Sequence, residues 1–164
     1  MTDMHGAAAS DAARLMQAAG KAALATLDAA TGYPYASLVT VALAPDGCPI
    51  LLLSRLARHT RNIDRDSRAS LLFEPAGLVD GDPLAAARGT VLGQIVALSP
   101  DTVDHAVAKA TFLARHPDAA GYAEFADFRF FKLAIAGAHF IGGFGRIVEI
   151  SAADLANQAR TATQ

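Results

Sequence analysis

Turn signals cut this chain into apolar segments too short for anything but strands and short helices. The clearest cut is Ala44-Pro45-Asp46-Gly47, where proline presets φ for the second turn position and glycine accepts positive φ. Tyr33–Leu43, rich in Tyr, Val, Thr and Leu, precedes it, and the apolar run Pro49–Ser54 follows. Upstream, Ala22–Leu27 stops at the turn-like Asp28-Ala-Ala-Thr-Gly32. Three strands joined by short turns predict an antiparallel meander. Arg68–Phe73, Gly89–Leu98, Phe128–Ile135 and Ala138–Ile141 read as further strands, the last two divided by a turn at Ala136-Gly137. In Phe128–Ile135 the alternation places Arg129, Phe131, Leu133 and Ile135 on one side.

Helical segments interrupt this pattern. Residues 7–19 predict an amphipathic helix with Leu15, Met16 and Ala19 as its stripe, and Ala57–Asp66 a short one. Ser99, followed by Pro100, reads as the cap of a helix that runs to about Arg115 and stops before Pro117. Ala119–Phe125 is a second short helix, and Ser151 caps a last one over Ala152–Ala159. Glu74–Pro83, with Pro75, Gly77, Gly81 and Pro83, is an exposed loop. The expected fold is mainly β (α+β), a small antiparallel barrel of six or seven strands with appended helices. An open α+β sandwich is the alternative.

Composition narrows the function classes. The 164 residues suit a single domain. Hydrophobic residues reach 52% and charged ones only 18%, but 38 of the residues are alanine, so much of the excess is small side chains. No apolar run approaches the ~18 residues of a membrane span. A net charge of −2 gives no global case for nucleic acid or anionic membrane. Cys48 is the sole cysteine, which excludes a disulfide framework. The start, Met1 to Gly6, lacks the basic and apolar regions of a signal peptide, so a cytoplasmic location is expected.

Charge is unevenly placed. Five of the eleven arginines fall between Arg55 and Arg68, where a strand exits into a helix through Leu53-Ser-Arg-Leu-Ala-Arg-His-Thr-Arg-Asn62. Free N–H groups at a helix start, beside hydroxyls and cations, suit a phosphate. A solvated helix face, with Asp64 and Asp66 offsetting the arginines, is the plainer reading of the same residues. The run holds no aromatic residue for nucleobase stacking. The five histidines show no metal-ligand spacing, so no metal site is expected. His116 before Pro117 reads as a cation at a helix end, and His139 as a strand histidine. Gly142-Gly-Phe-Gly145 lacks the spacing and following βαβ unit of a dinucleotide loop. Ser37 and Ser54 lie on strands without a nucleophile elbow, and no side chain is nominated as catalytic. Arg88, opening a strand, is ordinary on its own but could steady an anion at a barrel mouth.

Taken in order, several stretches resemble the pyridoxamine 5′-phosphate oxidase-like, FMN-binding split-barrel superfamily. They are Ala22–Leu27, Gly32-Tyr-Pro-Tyr-Ala-Ser37 and Leu51–Asn62. Arg68–Leu72, Asp82-Pro-Leu84, Ala114-Arg-His-Pro117, Asp127-Phe128 and Gly142–Arg146 are similar to its haem-utilisation (HugZ-type) branch. The resemblance implies a homodimer of split β-barrels with FMN in interface clefts, acting as an oxidoreductase on an unidentified small molecule. It further implies that Ser37 and Ser54 face the flavin, that Arg58, His59 and Thr60 hold its phosphate, that Asn62 supports the loop, and that Arg88 approaches the ring. Oxidase members carry Arg and Lys on the second strand, whereas Ser37–Leu43 has neither, which argues against true pyridoxamine-phosphate oxidase activity. No tryptophan follows Gly-Phe-Gly-Arg, and the chain stops at Gln164 without the longer relatives' C-terminal domain. Two other readings use the same cleft. It would take haem, with His59, His116 or His139 on the iron, or it would hold no cofactor in a purely structural dimer.

Overall fold

The computed structural model describes residues 2–77, 79–143 and 145–162. The chain opens with helix α1 (Thr2–Ala18), followed by strands β1 (Lys21–Leu27), β2 (Pro34–Thr40), β3 (Ala42–Leu43) and β4 (Pro49–Ser54). Helix α2 (Arg58–Arg65), β5 (Arg68–Phe73) and β6 (Ala87–Ala97) come next. Helix α3 (Val103–Arg115), β7 (Phe128–Gly142), β8 (Ile147–Ser151) and helix α4 (Ala152–Ala162) complete it. The strands form one sheet in the order β2-β1-β5-β6-β7-β4-β3, with β8 also on β7 and every pairing antiparallel. It curls until β2 comes back towards β4, as a split barrel.

Alternation decides what lies inside. Leu24, Leu71, Val91 and Ala138 lie in one cross-strand row and are almost fully buried. Phe73, Phe131, Leu133 and Phe140 fill the rest of the interior, each such side chain stabilising the fold by about 2 kcal/mol relative to exposure. Helix α1 closes one end with the small-residue stripe Ala8, Ala9, Ala12 and Ala19, together with Met16, and packs on α4. A second core lies outside β4 and β7, where Ala108 and Phe112 of α3 cover Ile50, Leu52 and Phe130. Strand β4 is therefore buried on both faces.

The barrel expectation holds, and five local expectations are corrected. The meander is only half formed. β1–β2 and β3–β4 are hairpins, but Tyr33–Leu43 breaks at Val41, whose N–H donates to Gly20, and β2 and β3 end at opposite limits of the sheet. Ala136-Gly137 is no turn. β7 runs through it with a bulge, Leu92 facing Gly137 and Gly93 facing Ile135. A Cβ on Gly93 would lie 2.1 Å from the Ala134 carbonyl oxygen, so that approach requires glycine. Thr102, not Ser99, caps α3 by accepting from the His105 N–H at 3.2 Å. In place of a helix over Ala119–Phe125 there is a 3₁₀ turn, Pro117–Gly121. Helix α1 begins five residues earlier and α4 runs three residues further than expected. Ser151 does cap α4 through the Asp154 N–H at 3.1 Å.

Candidate functional site

The open edge between β2 and β4 is plugged by α2, and most of the expected site residues meet there. After β1 the chain turns at Asp28, whose Oδ1 accepts from Thr31 N–H at 2.9 Å, Thr31 Oγ1 at 2.8 Å and Ala30 N–H at 3.2 Å. Gly32, at φ +74°, completes the turn. The other carboxylate oxygen accepts from Arg58 Nε at 2.6 Å. The hydrogen bonds from Arg58 and Thr31 hold Asp28 far below the usual carboxylate range, and Asp28 in turn raises Arg58. The Arg58 guanidinium also lies 5.0 Å from the centroid of the Tyr35 ring.

The amino end of α2 is built differently from an ordinary helix start. Ala57 occupies the N-cap position and no side chain caps the first turn, so the N–H groups of residues 58–60 keep their positive polarity. Ser54 and Thr60, both expected to face a cofactor, are committed within the chain. Ser54 Oγ donates to Asp127 Oδ2 at 2.7 Å and accepts from Leu56 N–H at 3.1 Å. Thr60 is fully buried and its hydroxyl donates to the Ser54 carbonyl at 2.7 Å, so it faces the interior rather than a ligand. Asn62, also buried, ties α2 to the end of β1 and the turn after it. Its Nδ2 donates to Thr26 Oγ1 at 3.0 Å and its Oδ1 accepts from Ala29 N–H at 2.9 Å.

His59 faces Ser37 across the seam, with Ser37 Oγ and His59 Nδ1 3.0 Å apart. Burial lowers its pKa, which favours the neutral ring. The other cations are partly spent, as the solvated-face reading had it. Arg61 donates to the Leu56 carbonyl at 2.7 Å, and Arg68 pairs with Asp66, whose pKa it lowers to about 2.

Arg88 is not brought to this cluster. It starts β6, opposite Ile141, at the end of the barrel away from α2, and its guanidinium donates to the carbonyls of Leu84 (2.8 Å) and Ala86 (3.3 Å). His116 caps the end of α3 with Nε2 donating to the Val41 carbonyl at 2.9 Å. That nitrogen has no lone pair for iron. His139 lies on the outer sheet face, 3.8 Å from Glu149. Phe144 of the glycine-rich loop lies outside the described residues. Among the described residues no three His, Cys, Asp or Glu side chains cluster as a metal site, and no helix is long and apolar enough to cross a membrane. A hollow of about 580 Å³ lies at the far end, between α1, α4 and the β3–β4 turn.

Sequence reasoning missed Asp28 and Asp127, which fix the two sides of the seam. The Asp28-x-x-Thr31-Gly32 spacing is an Asx-turn pattern and was a usable signal. Asp127 enters only through the Asp127-Phe128 stretch of the resemblance, which attaches no role to it.

The family model described as CREG, beta-barrel matches residues 3–157. The chain belongs to that family. A haem-binding protein from Mycobacterium smegmatis superposes with a TM-score of 0.85 at 32% identity, covering 92% of this chain and 60% of that one. HOZ, an atypical chloroplast heme oxygenase of Arabidopsis thaliana, is 35% identical over 102 residues, which is 62% of this chain and 30% of the plant protein. The chain therefore spans less than two thirds of either relative. A pyridoxinephosphate oxidase-family protein from Clostridium acetobutylicum shares the fold (TM-score 0.67) at 14% identity, covering 92% and 98% of the two chains. The split-barrel family expected from the sequence is thus the right one.

Proposed function

We propose that this chain is a haem-binding split barrel that takes the two carboxylates of the porphyrin edge at the amino end of α2. The observation that carries this reading is an uncapped, positively polarised helix end lying beside exposed apolar side chains. Donors for an anion come from the N–H groups of residues 58 and 59, from the Arg58 guanidinium and from the His59 ring. Apolar ground comes from Leu56 (71% exposed), just before α2, and from Tyr33 (74%), whose carbonyl accepts from the N–H of the Asp28 that Arg58 binds. Such side chains are too exposed to serve the core and suit a flat hydrophobic ring. Two of the relatives above 30% identity carry haem in their descriptions, which points the same way. Bound haem would supply a redox-active iron, while the chain anchors and orients it.

The outer face of the sheet supports a second copy of the chain as partner. Leu38, Ala23, Leu72 and Thr90 form one cross-strand row, and Ala36, Ala25, Ser70, Leu92 and Gly137 the next. Leu72, Leu92 and Val96 are 41%, 46% and 52% exposed among small neighbours. A flat apolar face of this kind is self-complementary about a two-fold axis. Light scattering is expected to give twice the monomer mass, and a strict monomer would remove this part of the proposal.

FMN is the second reading, favoured by the same helix end, since a phosphate accepts from free N–H groups as readily as a carboxylate does. Here a flavin-dependent oxidoreductase would result. Parallel titrations with haem and with FMN separate the two. A saturable Soret shift at one haem per chain, with FMN left free in solution, is expected. Retention of FMN through desalting with no Soret change would replace the haem reading by the flavin one.

A further inference from the structure

We propose that Ser37 locks His59 as its Nε2–H tautomer, which makes His59 a hydrogen-bond donor to the ligand's anionic end and disqualifies it as an iron ligand. This rests on the reading of the α2 end as the anion-binding part of the site. Ser37 is on the inward-facing side of β2, opposite Leu24, and its Oγ lies 3.0 Å from His59 Nδ1. A serine hydroxyl has one proton to place, and a neutral imidazole has one N–H and one lone pair. Among the described residues this is the hydrogen bond that Ser37 Oγ makes. With that proton given to Nδ1, the ring's own proton is left on Nε2.

The surroundings favour the same assignment. A histidine that binds metal through Nε2 usually donates Nδ1–H to a carboxylate or carbonyl. The nearby carboxylates are already engaged. Asp28 is taken by Arg58 and Thr31, and Asp127 by Ser54. The positive ends on this side of the seam, Arg58 and the N–H groups of residues 58–60, also oppose a charged imidazolium. A neutral ring offering Nε2–H adds one more donor of the same sense to that array. With His116 Nε2 donating to Val41, iron coordination from this chain would then fall to another group.

Two measurements test this, and they separate its failure from that of the haem reading. Long-range ¹H–¹⁵N NMR of the unliganded full chain reports the tautomer without any ligand. His59 is expected to show a protonated Nε2 and a bare Nδ1, with a mixed population in Ser37→Ala. A protonated Nδ1 in the native protein would overturn the proposal whether or not haem binds. Haem titrations of His59→Gln and His59→Ala give the second measure, because glutamine places an N–H near the position of Nε2. Gln is expected to keep affinity within about threefold, and Ala to lose about tenfold. The Soret maximum should be the same in both variants and the native protein. A Soret or spin-state change in His59→Gln would identify His59 as the iron ligand and contradict the proposal. If the native chain binds no haem, the same variants titrated with FMN and riboflavin show whether the donor serves a phosphate. Equal FMN affinity in Ala, Gln and native protein would then overturn it.

Discussion

The two ends of this barrel are closed by different physics. At the α1 end, alanines at helical spacing, with Met16 and Leu155, lie over the interior, and most of the contact is apolar. At the α2 end, a short polar helix is tied in by hydrogen bonds to segments distant in sequence. Arg58 binds Asp28, Asn62 binds Thr26 and Ala29, and Thr60 binds Ser54, which in turn binds Asp127. Apolar packing tolerates changes of shape that conserve volume, whereas a buried hydrogen-bond network does not tolerate loss of a partner. The polar end holds its backbone N–H groups and imidazole in set directions, as a ligand site requires, and the apolar end supplies the bulk of the cohesion.

Substitutions at matched positions can break that contrast. The largest effect is expected for Asn62→Leu, which keeps the volume but removes the donor to the buried Thr26 hydroxyl and the acceptor of the Ala29 N–H. A loss of about 3 kcal/mol should appear in urea unfolding, and a loss below 1 kcal/mol would mean the polar end is not keyed as described. The next effect depends on pH. Because Asp28 titrates lower in the folded chain than when unfolded, its contribution is complete above the unfolded value near pH ~4 and disappears as pH falls below it. Asp28→Asn should therefore narrow the stability difference between pH 7 and pH 3 seen in the native protein, and an unchanged difference would discard the Arg58–Asp28 pair as its source.

Thr60→Val removes one hydroxyl while the Ser54 carbonyl keeps its bond from the Ala57 N–H. A cost of about 1 kcal/mol is expected, with the ligand affinity unchanged. A large loss of haem affinity would show that the Thr60 hydroxyl reaches the ligand. The smallest effect belongs to the other end of the barrel. Met16→Leu, in the α1 stripe, should change stability by less than about 1.5 kcal/mol. A greater loss would show that the apolar end is as shape-specific as the polar one.

The sequence made these regions legible to different degrees. The strand-to-helix junction at residues 53–62 could be read directly, because its hydroxyls, arginines and histidine are contiguous. Their partners could not. Arg58 finds Asp28 thirty residues away and Ser54 finds Asp127 seventy-three away, and no local pattern encodes such pairings. For the same reason turn signals located the hairpins but not the order of strands, since Pro45-Asp46-Gly47 says where the chain reverses and not which strand it joins. Ala136-Gly137 looked like a turn because glycine interrupts an apolar run. The deciding residue was Gly93 on the neighbouring strand, whose missing Cβ admits the bulge. Ser37 and His59 were both nominated, but their direct contact rests on the way α2 folds back over the β2 edge.

Hydrogen–deuterium exchange with and without haem sets the two ends against each other most directly. Haem should slow exchange at residues 54–61 and 28–38 and leave α1, α4 and the β3–β4 turn unchanged. Protection confined to the α1–α4 hollow, with the α2 end unaffected, would contradict the assignment of the site.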